Sequence, residues 1–242
     1  MKAIIKKEIN IFFSSLIAYI SMSVFFIVLS LNLFIFQGNI LDSNYATLDS
    51  FFTLAPWILL FLIPAITMRI FADEKQSGTI ELLTTKPISD LEIVMGKYIA
   101  ALLLWTFTFL PTFIYFICVK NLSLADAPID SGATYGSYIG LFFLGAVFTA
   151  IGIFSSAVTN NQIVAFLVGV FFCYLMYDAF YRISSLPVFQ GQLDYYIQSI
   201  GLNAHYDSIS RGVLDTRDIL YFLSIITLFI IGTKTALESR KW

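Results

Sequence analysis

Long apolar runs alternate with short polar stretches along this chain. Six runs stand out, near residues 11–36, 51–71, 95–119, 135–157, 163–181 and 218–236. Each approaches or exceeds the ~20 apolar residues that an α-helix needs to cross a bilayer. Backbone donors and acceptors in lipid must be bonded internally, so the runs predict helices. Strands of a closed barrel would be shorter and would alternate apolar with polar positions, which these do not. The pattern predicts an all-α integral membrane protein with six transmembrane helices, a single domain over residues 1–242. No polar stretch is long enough for an independent catalytic domain.

The densest polar stretch, Asp73 to Pro87, separates the second run from the third. Such an island must lie in water or on another protein, and it is the natural place for a soluble motor to grip. Pro87 disfavours helix at Lys86. Ser77 or Thr79 can cap a new helix start, and Glu81 suits a first turn. A short amphipathic helix over Thr79 to Thr85 is therefore expected, with Ile80 and Leu83 on one face. Ser89 and Glu92 then form a capping box that starts the next long helix.

Composition sharpens the membrane reading. The chain is 58% hydrophobic and only 12% charged, with 25 Phe in 242 residues, unlike a soluble domain. Lys2, Lys6 and Lys7 precede the first run as in a signal peptide. The run is too long for one and no small-x-small site follows, so a retained first span is expected. With the N-terminus in the cytoplasm, ten basic residues face in: Lys2, Lys6, Lys7, Arg69, Lys75, Lys86, Lys97, Lys234, Arg240 and Lys241. Four face out: Lys120, Arg182, Arg211 and Arg217. The positive-inside rule then places both termini in the cytoplasm, which requires an even number of spans.

Other features carry structural readings. Pro56 and Pro64 can kink the second span, either as packing geometry or as a hinge. Gly136 and Gly140 form a small-xxx-small pair that permits close helix approach, with chance the competing reading. The short turn Thr159 to Gln162 predicts an antiparallel hairpin of the fourth and fifth spans. Asp178 and Arg182 read as an interfacial ion pair among tyrosines, a substrate contact being the minor alternative. Residues 184–217 are too apolar for a free loop. They predict one or two outer re-entrant or interfacial helices, over Leu186 to Leu202, with Tyr195 and Tyr196 at headgroup level. His205 reads as a surface or turn residue, and Cys118 and Cys173 as packing residues.

The chemistry that is absent also matters. The Gly96-Lys97 pair lacks the glycine and hydroxyl residue of a phosphate-cradling loop, since Leu91 and Tyr98 stand there. Neither a metalloprotease motif nor a nucleophile elbow is found. Charge at mid-membrane, which ion-coupled carriers usually keep, is nearly nil. Self-powered transport, catalysis, a metal site and a nucleic-acid partner are all unexpected.

The series Glu74, Gly78-Thr79, Glu81-Leu82-Leu83, Pro87-Ile88 and Gly96-Lys97 resembles the cytoplasmic signature of ABC-2 type transporter permeases. The stretches from His205 to Phe222 and Glu238 to Trp242 also resemble this family, in its bacterial gliding-motility branch, and the likeness runs through all 242 residues. The resemblance implies six spans, a permease dimer, and a short cytoplasmic coupling helix between spans 2 and 3. A separate cytoplasmic ABC ATPase would dock there, at Glu74, Gly78, Thr79, Ile80, Glu81, Leu82, Leu83 and Pro87. It implies that ATP and magnesium are bound by that ATPase, with no cofactor in this chain. It further implies a bacterial inner membrane setting and, for the gliding system, a partner protein with an extracytoplasmic domain. Substrate and direction are left open. The competing readings are a channel or secondary transporter, and a non-transporting assembly anchor.

Overall fold

The computed structural model describes residues 1–37, 39–43, 45–79, 89–123, 128–189, 191 and 193–239, and among these every regular element is helical. In chain order they are α1 (Lys2–Phe13), α2 (Leu16–Phe34), α3 (Ile40–Ser43), α4 (Asp49–Gln76) and α5 (Asp90–Leu122). Then come α6 (Ser131–Val158), α7 (Gln162–Ser184), α8 (Asp194–Gln198), α9 (Leu202–Ser210) and α10 (Thr216–Glu238). Five of them, α4, α5, α6, α7 and α10, are long and apolar enough to cross a membrane.

The first apolar run departs from expectation. It is divided at Ser14–Ser15, and its two halves are bent by 68°. Taken together, α1 and α2 would supply a sixth span. The reason lies in composition: α1 carries Lys2, Lys6, Lys7 and Glu8, so it suits an interface better than hydrocarbon. α2 carries no charged residue.

α6 is the central element and the most buried of the five. Its small residues let neighbours come close. A Cβ on Gly145 would stand 2.3 Å from Nε1 of the buried Trp105 ring of α5. α4, α7, α9 and α10 pack around it. The outward faces of α7 and α10 stay apolar and exposed, as at Leu167, Phe171, Leu228 and Ile231, which suits lipid contact.

α4 is broken near its island end. The helix is interrupted at Met68 and restarts at Arg69. The amides opened by the restart are met by Ser156 of α6, whose hydroxyl accepts from Phe71 N (2.9 Å) and Ala72 N (3.0 Å) and donates to the Met68 carbonyl (2.8 Å). The end of α4 and the start of α5, which flank the polar island, thus lie at the same end of the bundle as the α6–α7 turn, the island end. In that turn Asn161 Oδ1 caps α7 by accepting from Ile163 N.

The 184–217 segment is structured at the distal end, though later in sequence than expected. Pro187 has no amide to donate and Gly191 has φ +94°, so helix begins only at Asp194. α9 then docks on α6 at the Gly136/Gly140 pair. A Cβ on Gly136 would meet the Ile209 carbonyl at 2.6 Å, and one on Gly140 the Tyr206 ring at 3.2 Å. The small-xxx-small pair is thus used, to seat α9. His205 is no simple surface residue. Its Nδ1 lies 2.7 Å from Asp218 Oδ1 of α10 and its Nε2 2.9 Å from the Ser199 carbonyl, while its ring stacks on Tyr221 at 3.8 Å.

Candidate functional site: a buried ion cluster at the roots of the polar island

The capping box expected at Ser89 is present. Ser89 N donates to Glu92 Oε2 at 3.1 Å and Glu92 N to Ser89 Oγ at 3.3 Å. It fixes the start of α5 and so the height of Lys97, two turns in. Lys97 has no exposed side-chain surface. Its ammonium donates to Glu8 Oε1 of α1 (2.8 Å) and to the Ile70 carbonyl of α4 (2.6 Å), and pairs with Glu74 Oε2 (2.9 Å). Two of these contacts are hydrogen bonds, and the third is an ion pair held by charge. The ring of Phe71 lies beneath, 4.8 Å from the charge. Lys7 completes the cluster by donating to Glu74 Oε1 at 2.5 Å.

Among the described residues, two ammoniums and two carboxylates balance to zero, which lowers the cost of burying Lys97, Glu8 and Glu74, while Lys7 reaches in from a half-exposed position. The geometry joins three separate elements at one point. α1 brings Lys7 and Glu8, the last turns of α4 bring Ile70 and Glu74, and α5 brings Lys97. α4 leads into the island and α5 leads out of it, so both roots are gripped by one ammonium. Lys75 adds a fourth element by donating to the Ala157 carbonyl at the end of α6. Beside the cluster lies a cavity of about 360 Å³ between α1, α4 and α5, lined by Arg69 and Asp73 as well as apolar residues.

The expected site residues divide. Glu74, expected among the residues where an ATPase would dock, has a side chain only 10% exposed and held by two lysines of its own chain. Gly78 ends α4: its φ is +69° and its amide donates to the Lys75 carbonyl at 3.2 Å. Thr79 is exposed in the turn that follows, its hydroxyl 2.9 Å from that of Ser77. The other expected site residues, Ile80, Glu81, Leu82, Leu83 and Pro87, lie outside the described residues, as does most of the expected coupling helix.

The sequence pattern puts Lys97 on the inner side and gives Glu8 no role. One signal was available. Ile4, Glu8 and Phe12 follow at spacing four along α1, so Glu8 sits on the apolar stripe of an amphipathic helix. A carboxylate in that position needs a buried cation.

Membrane-length helices packed around a polar knot define a multi-pass membrane protein. Over residues 3–241 the chain matches the family described as ABC-2 family transporter protein, and it belongs to that family. Members are transmembrane components of ATP-binding-cassette transporters that generally work with a cytoplasmic ATPase, so the chain is read as a permease subunit. No curated protein matches the chain significantly.

Proposed function

We propose that this permease subunit is driven by a separate cytoplasmic ATPase that docks on the island between α4 and α5, in a transporter of the gliding-motility type. The observation that supports docking there is the ion cluster at the island's roots. A motor pulling on residues 79–88 would load α4 and α5 together, because Lys97 holds both. It would also load α1 through Glu8 and α6 through Lys75. Closure of the ATPase on ATP would then move four elements as one body. Charge fixed by opposite charge in a low-dielectric site makes a stiff joint, whereas exposed pairs slip.

The gliding-motility assignment rests on the resemblance of the 205–222 and 238–242 stretches to GldF, the permease subunit of that system. It carries with it a permease dimer, a partner with an extracytoplasmic domain, and placement in the bacterial inner membrane. The ten-to-four basic asymmetry supports both termini, and hence the island, in the cytoplasm.

Two measurements test this reading. Reporter fusions after residue 239 and within 184–217 should report inside and outside respectively. The same side for both would remove the island from reach of a cytoplasmic motor or break the even span count. The purified chain alone should show no ATP turnover, since it has no phosphate-cradling loop. Turnover that survives removal of every partner would overturn the proposal.

A further inference from the structure

A second cavity lies at the distal end, far from the ion cluster. It encloses about 430 Å³ between α4, α6, α7 and α9, within the ordinary range for small-molecule sites. Its wall is aromatic. Phe52, Tyr177 and Tyr206 are buried there, and half-buried Trp57 packs edge-on to Tyr177, their ring centroids 5.8 Å apart at 87°. Its rim is acidic. Asp49, in the first turn of α4, and Asp207, on α9, both line it from exposed positions. Among the described residues no Lys, Arg or His contributes to the lining.

Two observations beyond the carboxylates point to a ligand. Tyr177, only 4% exposed, lines the cavity, so an aromatic ring that is otherwise sealed from solvent is presented to its interior. Tyr206, beside it, donates to the Phe52 carbonyl at 2.9 Å. Tyr177 also sits in a π-helical turn, Leu175–Ala179, within α7. Such turns are rare, weaken the local hydrogen-bond ladder and gather at functional sites.

We propose that this cavity binds an organic ammonium cation. Ring faces attract a cation through their quadrupole, Trp best of all. Carboxylates at the mouth of a low-dielectric cleft concentrate cations and repel anions. Nearby charge does not cancel this. Asp178, which faces Tyr177 from within the π turn, is neutralised by Arg182, whose Nε donates to it at 2.5 Å. Arg211 opposes Asp207 from outside the lining. Even so, partial burial pushes the Asp207 carboxyl above the usual range, against the pull of Arg211. The inference stands apart from the docking of any ATPase.

The test uses the full chain in lipid nanodiscs and isothermal titration calorimetry. The probe is benzyltrimethylammonium, with benzyl alcohol as the neutral control. Saturable binding of the cation, at least about tenfold tighter than the alcohol, is expected. Asp207→Asn, Asp49→Asn and Trp57→Leu should each weaken it, by about tenfold where the contact is closest. Affinity should fall as pH is lowered through the raised titration range of Asp207, because protonation removes the charge. Equal affinity for cation and alcohol, absence of saturation, or unchanged affinity in both Asn variants would overturn the proposal. Nanodiscs with and without phosphatidylethanolamine separate two sources of the same chemistry. Competition by that lipid assigns the ammonium to a headgroup, and indifference assigns it to a soluble amine. A failure of ATPase docking would leave all of these readouts intact.

Discussion

Lys97→Ala is expected to destabilise the protein by about 3–5 kcal/mol, as removal of one partner from a buried ion pair does. Glu8 and Glu74 would remain 10% exposed, facing each other with only Lys7 between them. The Ile70 carbonyl would lose its donor as well. For a chain of this length the change corresponds to a fall in Tm on the order of 10 °C. Differential scanning fluorimetry in a mild detergent reads it directly. Lys97→Arg should rescue poorly, because the site is full and a guanidinium is broader than an ammonium. Combining Lys97→Met with Glu8→Gln and Glu74→Gln should recover much of the loss, since all the charges that need the lysine are removed. A Tm for Lys97→Ala no lower than that of Lys2→Ala, at an exposed position of α1, would mean that the cluster carries no structural weight.

Leu83→Asp is expected to release the partner ATPase while leaving the membrane fold intact. An apolar anchor in a protein groove typically contributes ~1–3 kcal/mol, so affinity should drop about 5- to 150-fold. Insertion should not change, because the residue belongs to a polar stretch outside the spans. The two variants therefore separate two roles. Leu83→Asp should keep the wild-type Tm and lose the ATPase, whereas Lys97→Ala should lose Tm and leave the partner's own hydrolytic chemistry intact. Quantitative copurification from membranes, normalised to the amount of permease, measures the first. Undiminished recovery of the ATPase with Leu83→Asp would count against docking at the island.

The helical membrane class was legible because it rests on local signals. Run length, absence of alternation and the Ser89–Glu92 capping box need no knowledge of what lies across the bundle. The break at Ser14–Ser15 was less legible. Hydropathy rises smoothly from residue 11, while the division follows from the charges of α1, which keep its face at an interface. The ion cluster was invisible for a different reason. Glu8 and Lys97 are separated by 89 positions, and their pairing exists only once α1 lies across α4 and α5. The same holds for His205, which looked like a turn residue until α10 supplied Asp218. Gly136 and Gly140 show the intermediate case. Their spacing announced a close approach, but nothing in it said that α9, a short helix at the distal end, would fill the groove.

The central claim is that a soluble ATPase grips this chain between α4 and α5. A photoreactive amino acid placed at position 83, in the full chain in its native membrane, tests it most directly. Irradiation should give a cross-linked product whose partner, identified by mass spectrometry, contains a Gly-x-x-x-x-Gly-Lys-Ser/Thr phosphate-cradling loop. The same probe at position 188, in the distal segment, should give no such product. Cross-linking of position 83 only to lipid or to further copies of this chain, or capture of the nucleotide-binding protein from position 188 instead, would contradict the account.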